Sequence, residues 1–269
     1  MAMSRRDFLM TSAAGIGIAA HTHAADKGEP SVPVGSDEVY ELRQYTLRRQ
    51  QRDTLIYLFE KNFIEPQNEL GAHVLGTFRD LDDPDRFVWI RGFRDMVTRQ
   101  KALFSFYNGP VWHANRTSAN ATMLDSDNVL LLRPAEPGAG FQPEPATSVA
   151  PSGIVSASIY YLGGVDSEQF THFFDESVMP QIIAAGVHPV ARLVSEETPN
   201  TYTHLPIREH ERVFVWLARW PSIAAEEAFV AKANAVSGWR DSAPEAVLPA
   251  LMRKPERLRL APTTRSALR

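Results

Sequence analysis

The feature that most constrains the fold of this chain is a repeat within its own sequence. Two blocks and one tryptophan recur in the same order. The first block is Pro66-Gln67 with Gly71-Ala72-His73, which recurs as Pro180-Gln181 with Gly186-Val187-His188. The second is Phe87-Val88-Trp89-Ile90, which recurs as Phe214-Val215-Trp216-Leu217, and Trp112 recurs as Trp239. The second block and the tryptophan recur at the same distance along the chain, whereas the first block recurs at a shorter distance. The second copy therefore contains an insertion between its two blocks, which lies in Glu196 to Glu211. Such a repeat predicts two copies of one folding unit.

Both copies predict the element order β-α-β-β-α-β from their apolar periodicity. The first copy predicts strands at Val39 to Leu47, His73 to Leu81, Arg86 to Phe93 and Asn128 to Arg133. It predicts helices at Asp53 to Leu70 and Asp95 to about Phe106, then a break at Asn108-Gly109-Pro110 and a further short helix to about Asn120. The second predicts strands at Gly153 to Leu162, Val187 to Glu196, Arg212 to Trp220 and Arg257 to Leu260, and helices at Ser167 to Ala185, Ser222 to Val236 and Ala243 to Met252.

The split β-α-β-β-α-β order is the ferredoxin-like arrangement, in which helices cover one face of an antiparallel sheet. Because the other face of each sheet must also be buried, the two units are expected to pack sheet to sheet or to close into a shared barrel. The predicted fold class is therefore α+β. The predicted divisions are 37–134 and 153–262 for the two units, 135–152 for a Pro-rich linker and 263–269 for a tail.

The N-terminal stretch predicts an export signal rather than a part of the fold. Ser4-Arg5-Arg6-Asp7-Phe8-Leu9 precedes a short apolar run, Met10 to Ala20, and then small residues near Ala24 and Ala25. This order resembles a bacterial twin-arginine signal, and the run is shorter than the roughly 20 residues that span a bilayer. We therefore expect residues 1–25 to be removed, 26–36 to be a linker and the protein to be periplasmic.

Composition excludes several classes of function. The formal charge of −4 leaves no basic excess for a phosphate backbone, so nucleic acid is not expected as a partner. The chain has no Cys, which excludes disulfides, thiolate nucleophiles and Cys-ligated clusters. His204 and His210 flank the insertion, but their spacing fits no compact ligand pair, and no metal site is predicted.

The first copy resembles a known family. Tyr40-Glu41-Leu42-Arg43-Gln44-Tyr45-Thr46-Leu47, the turn Gly71-Ala72-His73-Val74-Leu75-Gly76, Phe87-Val88-Trp89 and Trp112 are together similar to a NIPSNAP-type domain of the dimeric α/β-barrel superfamily. The second copy has Ile154-Val155-Ser156-Ala157-Ser158 in place of the Tyr-Glu-Leu-Arg strand. The resemblance implies a ligand pocket between the helices and the sheet, and it leaves open cofactor-free oxygenase, haem, lyase and non-catalytic roles.

Candidate catalytic residues are His73 and Arg91. His73 starts a strand on which Leu75, Thr77 and Arg79 are expected to share its face, and it could serve as an acid/base or a haem ligand, or simply bond the backbone. Arg91 lies between Trp89 and Phe93 on one strand face and could hold a carboxylate.

The remaining candidates are ligand-binding residues: Tyr45, Trp89, Tyr107, Trp112, His188 and Trp216. Recurring Trp residues also fit a purely structural role in the core, and Glu41 with Arg43 fits an inter-strand ion pair. The sequence thus supports an exported enzyme or binding protein for a small apolar or carboxylate-bearing molecule, with a non-catalytic, oligomeric scaffold or a haem protein as alternatives. The pocket is expected in the first half.

Overall fold

A computed structural model describes residues 37–142, 153–187, 189–235 and 243–269. The predicted signal and its linker, His188, Trp239 and residues 143–152 of the Pro-rich segment lie outside the described residues. In the described part of the chain, no helix has the length and apolar character that a membrane crossing needs.

The first half has the predicted order of strands and helices. Its elements are β1 (Val39–Leu47), α1 (Arg52–Asn62), α2 (Ile64–Glu69), β2 (His73–Asp80), β3 (Arg86–Phe93), α3 (Met96–Tyr107), α4 (Pro110–Thr122) and β4 (Met123–Pro134). The Asp95 carboxylate caps α3 by accepting from Thr98 N at 2.6 Å. Gly109 and Pro110 start α4, since Pro needs no backbone donor in the first turn.

The single helix predicted from Asp53 to Leu70 is two helices, and Pro66 explains the break. A proline inside a helix clashes with the carbonyl four residues earlier, which here belongs to Asn62, the last residue of α1. The repeated Pro180 has a similar effect in the second half, where a π-helical segment, Phe174–Val178, separates two short α-helices.

The second half follows the same path. Its elements are β5 (Ile154–Tyr161), α5 (Ser167–Phe173), the π-helical segment, α6 (Met179–Ala184), β6 (Pro189–Ser195), β7 (Val213–Trp220), α7 (Ile223–Ala235), a 3-10 turn (Glu245–Val247), α8 (Leu248–Met252) and β8 (Glu256–Pro262). The segment between β6 and β7 has no helix or strand, as the sequence predicts for the insertion.

All eight strands form one closed antiparallel barrel in the order β1-β3-β2-β8-β5-β7-β6-β4. The halves join where β2 pairs with β8 and β4 pairs with β6. The predicted α+β fold, two ferredoxin-like units whose free sheet faces bury each other, is confirmed. Closure leaves no unpaired strand edge between the halves.

The barrel interior is an apolar core shared by both halves. Alternate residues of each strand point inward, among them Tyr40 and Leu42 of β1 and Val155 and Ala157 of β5. The opposite set of β1, including Tyr45, faces α1 to α4 in a second cluster. The sheet of the first half therefore separates two environments, the barrel interior and the space under the helices.

A bulge in β2 changes which side of the sheet the later side chains of that strand occupy. Register shifts between Val74 and Gly76, so that Leu75 packs in the barrel interior whereas Thr77 pairs with Trp89 on the helix-facing side. The expectation that His73, Leu75, Thr77 and Arg79 share one face is wrong, because one extra residue inverts the alternation beyond it.

Residues 263–269, which the sequence predicts as a tail, extend β8 along β2. The backbone of Thr263 donates to Thr77 O and that of Leu268 donates to Leu75 O, each at 2.9 Å. The Leu268 side chain is buried in the barrel core. This end of the chain is thus part of the packing between the two halves.

Candidate functional site

The helix-facing side of the first half carries a row of charged side chains in the middle of its sheet. In the register of β1 and β3, Glu41 lies opposite Arg91 and Arg43 lies opposite Trp89. Arg99 reaches the same place from α3. Glu41 and these three arginines are all completely buried.

Glu41 holds the three guanidiniums together. Its Oε2 accepts from Arg43 Nη1 at 2.7 Å and Arg91 Nε at 2.8 Å, and its Oε1 accepts from Arg99 Nε at 2.8 Å. Nη2 of Arg91 and Nη2 of Arg99 also lie 2.7 Å from the carboxylate. One carboxylate thus serves three cations; we call these four residues the Glu41 cluster.

Neutral oxygen atoms occupy the outer edges of the guanidiniums. Arg91 Nη1 donates to Gln67 Oε1 at 2.7 Å, and Arg43 Nε donates to Tyr45 Oη at 3.0 Å. Arg99 Nη1 donates to Asn200 Oδ1 at 3.0 Å and Thr201 Oγ1 at 3.3 Å. The last two residues belong to the segment between β6 and β7, so the second half contributes to a site in the first half.

The Glu41 cluster carries an excess of positive charge. Burial alone would raise the pKa of Glu41, but the Arg91, Arg99 and Arg43 guanidiniums outweigh it and hold that pKa well below its usual range. Burial lowers the pKa of Arg99, and the charges of Arg91 and Arg43 add to the lowering while Glu41 opposes it. Because arginine stays protonated, the cluster has three positive charges and one negative charge.

Aromatic side chains surround the cluster. The Trp89 ring lies 4.9 Å from the Arg91 guanidinium carbon and 5.5 Å from that of Arg43. Trp89 Nε1 is buried and has no hydrogen-bond acceptor among the described residues. Burial raises the pKa of the Tyr107 phenol to about 12, although Arg91 opposes the shift. Tyr107 therefore stays a neutral donor at ordinary pH, with its ring 4.9 Å from that of Trp112.

His73 lies on the other face of the same sheet. It pairs with Gly92, which also pairs with the inward-facing Tyr40, and directly opposite residues share a face. His73 Nδ1 lies 2.9 Å from both carboxylate oxygens of Asp37. Burial raises the pKa of Asp37, and the contact with His73 opposes that rise. A Cβ on Gly92 would collide with Asp37 Oδ2, so the glycine makes room for this pair.

The structure thus separates the predicted site residues into groups. Tyr45, Trp89, Arg91, Tyr107 and Trp112 come together under the helices, whereas His73 lies across the sheet from them. Trp216 is in the second half, and His188 is outside the described residues.

Among the described residues of the second half, the space under the helices has no comparable cluster. At the register positions of Glu41 and Arg43 it has Ser156 and Ser158, and at that of Arg91, two residues after the tryptophan, it has Ala218. Apolar side chains, including Trp216, form the cluster under the helices of this half. The predicted asymmetry between the halves is visible in these substitutions.

Sequence reasoning missed Gln67, Arg99, Asn200 and Thr201. A signal for Arg99 exists, because it precedes Ala102, Leu103 and Phe106 at the spacing of the buried face of α3. An arginine at a core position of a helix needs a buried partner. Gln67 belongs to the repeated Pro-Gln pair, whereas the contact with Asn200 and Thr201 depends on tertiary packing alone.

Comparison with known proteins agrees with this architecture. The NIPSNAP family pattern matches residues 40–137, and no curated protein sequence matches the chain. A Fusobacterium nucleatum protein provisionally named a monooxygenase is similar at 6% identity and a TM-score of 0.53, over 84% of this chain and 92% of that one. A Lactobacillus acidophilus protein named in the same provisional way shares 13% identity, with a TM-score of 0.50 over 84% and 94%. An anthrone oxidase-like protein shares 13% identity, with a TM-score of 0.51 over 88% and 97%. Residues 40–137 thus match the NIPSNAP family pattern, and the barrel has the fold that these proteins share.

Proposed function

We propose that the first half binds, and through its arginines activates, a small organic molecule that carries an acidic group. The observation that carries this proposal is the charge of the Glu41 cluster, where three buried guanidiniums face one carboxylate. Burying uncompensated charge is costly, and an organic anion would neutralise part of the excess. The buried Nε1 of Trp89 supplies one further donor.

The same geometry supports chemistry at an oxygen atom of the ligand. Guanidiniums fixed in a dry site stabilise negative charge that develops on a carboxylate or enolate oxygen. The Tyr107 phenol, kept protonated by its high pKa, can donate a hydrogen bond there. These are requirements of cofactor-free oxygenases and of lyases, the reaction classes that we propose for an enzymatic role.

The proposal is tested by binding. Isothermal titration of the purified protein with benzoate, and with neutral benzyl alcohol as the matched probe, should show binding of the acid alone. Arg91→Met should abolish it, whereas Arg94→Met, at an exposed position beside β3, should not. Because Arg91→Met could destabilise the fold, Trp89→Phe is a milder variant and should weaken binding. Failure of a broad panel of carboxylates to bind would reject the proposal.

A second candidate is a non-catalytic role, and the complete burial of the cluster favours it. All three arginines have acceptors within the protein, as in a structural network that holds the sheet, α3 and the second half together. A scaffold of this kind should show no binding or turnover of any acid and should lose stability when the cluster is altered. Further association into homo-oligomers is a proposal of the same kind, to be tested by native mass spectrometry.

The described residues do not fit a haem site at His73. The side chain is nine-tenths buried by protein atoms, which leaves an iron porphyrin little room beside the imidazole.

We also propose that the chain arose by tandem duplication and is exported by the twin-arginine route to the periplasm. The recurring blocks and the shared order of elements support the first proposal. The order of Arg5-Arg6, apolar run and small residues supports the second. Cell fractionation of the full-length protein tests the export.

A further inference from the structure

A surface pocket lies beside the Glu41 cluster, between α3 and the segment that connects β6 to β7. It has a volume of about 430 Å³ and is lined by Gln100, Lys101, Phe104, Ser105, Thr201, Tyr202, Thr203 and His204. One wall comes from the first half and the other from the second. We call this the α3 pocket.

The lining of the α3 pocket is chemically specific. Lys101 is its charged residue, His204 adds an imidazole ring, and none of the lining residues is acidic. Phe104 is 61% exposed, and Tyr202 on the opposite wall stacks on Tyr107 with ring centroids 6.0 Å apart. Positive charge at a mouth that has no carboxylate attracts anions, and aromatic surfaces favour a flat ring.

Thr201 separates the α3 pocket from the Glu41 cluster. It lines the pocket, and its Oγ1 accepts from Arg99 Nη1 at 3.3 Å, which is the weaker of the two contacts at that nitrogen. Asn200 Oδ1 accepts from the same nitrogen at 3.0 Å and also from the backbone of Tyr202 at 3.1 Å. A single layer of neutral side chains therefore covers the nearest guanidinium of the cluster.

A second surface pocket, about 520 Å³ in volume, lies between α1 and α4. Its lining includes Lys61 but also the carboxylate of Glu65, and none of its residues belongs to the Glu41 cluster or bonds to it. The two pockets thus differ in charge and in access to the arginines.

We propose that the α3 pocket is the binding subsite and entrance for an aromatic carboxylate, whose anionic group replaces the oxygens of Asn200 and Thr201 on Arg99. This inference rests on the proposed function, because it assigns a ligand class and a route to the same site. The ring of the ligand lies between Phe104 and Tyr202, and Lys101 attracts the carboxylate. The exchange is favourable because an anionic carboxylate offsets the excess positive charge of the Glu41 cluster, which the neutral oxygens of Asn200 and Thr201 do not.

The decisive variant is Asn200→Asp. It places a carboxylate of the protein where the ligand's carboxylate would lie, so the Kd for benzoate should increase roughly tenfold or more. Because Asp also lacks the Nδ2 donor that Asn200 gives to Leu205 O at 2.9 Å, no gain in melting temperature is expected. Thr203→Asp is the matched control, because Thr203 lines the pocket at an exposed position without any recorded contact to Arg99. A benzoate Kd that Asn200→Asp changes no more than Thr203→Asp would overturn the proposal.

The entrance is tested by charge reversal at its mouth. Lys101→Glu should slow the association of benzoate several-fold in low salt, measured by stopped-flow tryptophan fluorescence, and added salt should reduce the difference. Lys61→Glu in the second pocket is the control and should have no effect. A slower association in Lys61→Glu, with Lys101→Glu unchanged, would assign the entrance to the other pocket and overturn the inference.

The preference for an aromatic ligand is tested by comparing the binding of benzoate with that of acetate. Benzoate should bind roughly tenfold or more tightly than acetate, which carries the same charge without a ring, and Phe104→Ser should reduce this ratio. Equal affinities would overturn the aromatic assignment. If no carboxylate binds the wild-type protein, the proposed function itself fails. If benzoate binds and Arg91→Met abolishes binding while the Asn200 and Lys101 variants behave as their controls do, only this inference fails.

Discussion

Arg91 and Glu41 lie opposite each other on β3 and β1, with Arg91 Nε 2.8 Å from Glu41 Oε2 and neither side chain exposed. Two more arginines share that carboxylate, Arg43 at 2.7 Å and Arg99 at 2.7 Å. The stability of this part of the barrel and its affinity for an anion therefore depend on the same four side chains.

Replacing Glu41 by Gln should be strongly destabilising. The substitution keeps the shape but leaves three buried guanidiniums without a counter-charge, and removal of one partner of a buried ion pair costs about 3 to 5 kcal/mol. The free energy of unfolding from urea titration measures the loss. The matched control is Glu38→Gln at an exposed position of the neighbouring sequence, for which little change is expected. Equal losses in the two variants would show that the carboxylate is not the centre of the network.

The stabilisation that Glu41 provides should depend on pH. Because the folded-state pKa of Glu41 is depressed, its stabilisation is complete above the unfolded pKa of about 4.3 and is lost as pH falls toward the folded value. The difference in unfolding free energy between wild type and Glu41→Gln should stay constant from pH 7 to pH 5 and narrow only below about pH 4. A difference that narrows already near neutral pH would contradict this assignment.

The Tyr107 phenol should ionise at a higher pH than an exposed tyrosine. Its pKa is raised to about 12, so its ionisation should follow that of exposed tyrosines in an absorbance titration at alkaline pH, and Tyr107→Phe should remove that late step. A raised pKa means that stability is intact below the unfolded value of about 10 and is lost as pH rises through the folded value. Wild type should therefore lose stability relative to Tyr107→Phe above pH 10. Tyr57→Phe, at an exposed position, is the control and should leave the late step in place.

His73 should matter for stability rather than for binding at the Glu41 cluster. His73→Phe leaves the buried Asp37 carboxylate without its donor, at a cost of about 1 to 3 kcal/mol. The pKa of Asp37 should rise further, so the variant should recover stability relative to wild type as pH falls below neutral. The Kd for benzoate should be unchanged, because His73 lies across the sheet. His113→Phe, at an exposed position, serves as control. A large loss of affinity or turnover in His73→Phe would restore the catalytic assignment.

Export should depend on the paired arginines near the N-terminus. A full-length variant with Arg5→Lys and Arg6→Lys should remain in the cytoplasm of a bacterial host, as detected by fractionation and immunoblotting. The same double change at Arg48 and Arg49, an exposed pair just after β1, should leave export unaffected. Accumulation of the first variant in the periplasm at the wild-type level would reject the twin-arginine assignment.

Much of the fold could be predicted because it depends on local patterns. Alternation predicts β1 and β3, helical spacing predicts α3, and Gly109-Pro110 predicts the start of α4. The recurrence of the blocks predicts that each half repeats these elements. The helix boundaries differ from the predicted ones where the sequence analysis overlooked a local effect. An example is Pro66, whose ring ends the preceding helix four residues earlier.

The candidate site could be predicted only in part. Alternation along β3 places Trp89 and Arg91 on one face, as the register shows, but the same rule fails on β2. There a bulge of one residue breaks the alternation beyond His73, and a register slip is not visible in an apolar pattern. His73 and Arg91, the two candidate catalytic residues, therefore lie on opposite faces of the sheet.

The sequence by itself determined the α+β class, the two halves and the asymmetry between them, since each depends on residues close together in the chain or on a comparison of the two copies. Only the tertiary structure decided that Arg99 completes a cluster around Glu41, that His73 lies apart from it, and that Asn200 and Thr201 of the second half cover it. The physical reason is distance along the chain. Partners separated by 58 and 101 residues meet only because the barrel closes, and no local preference of either segment encodes that meeting.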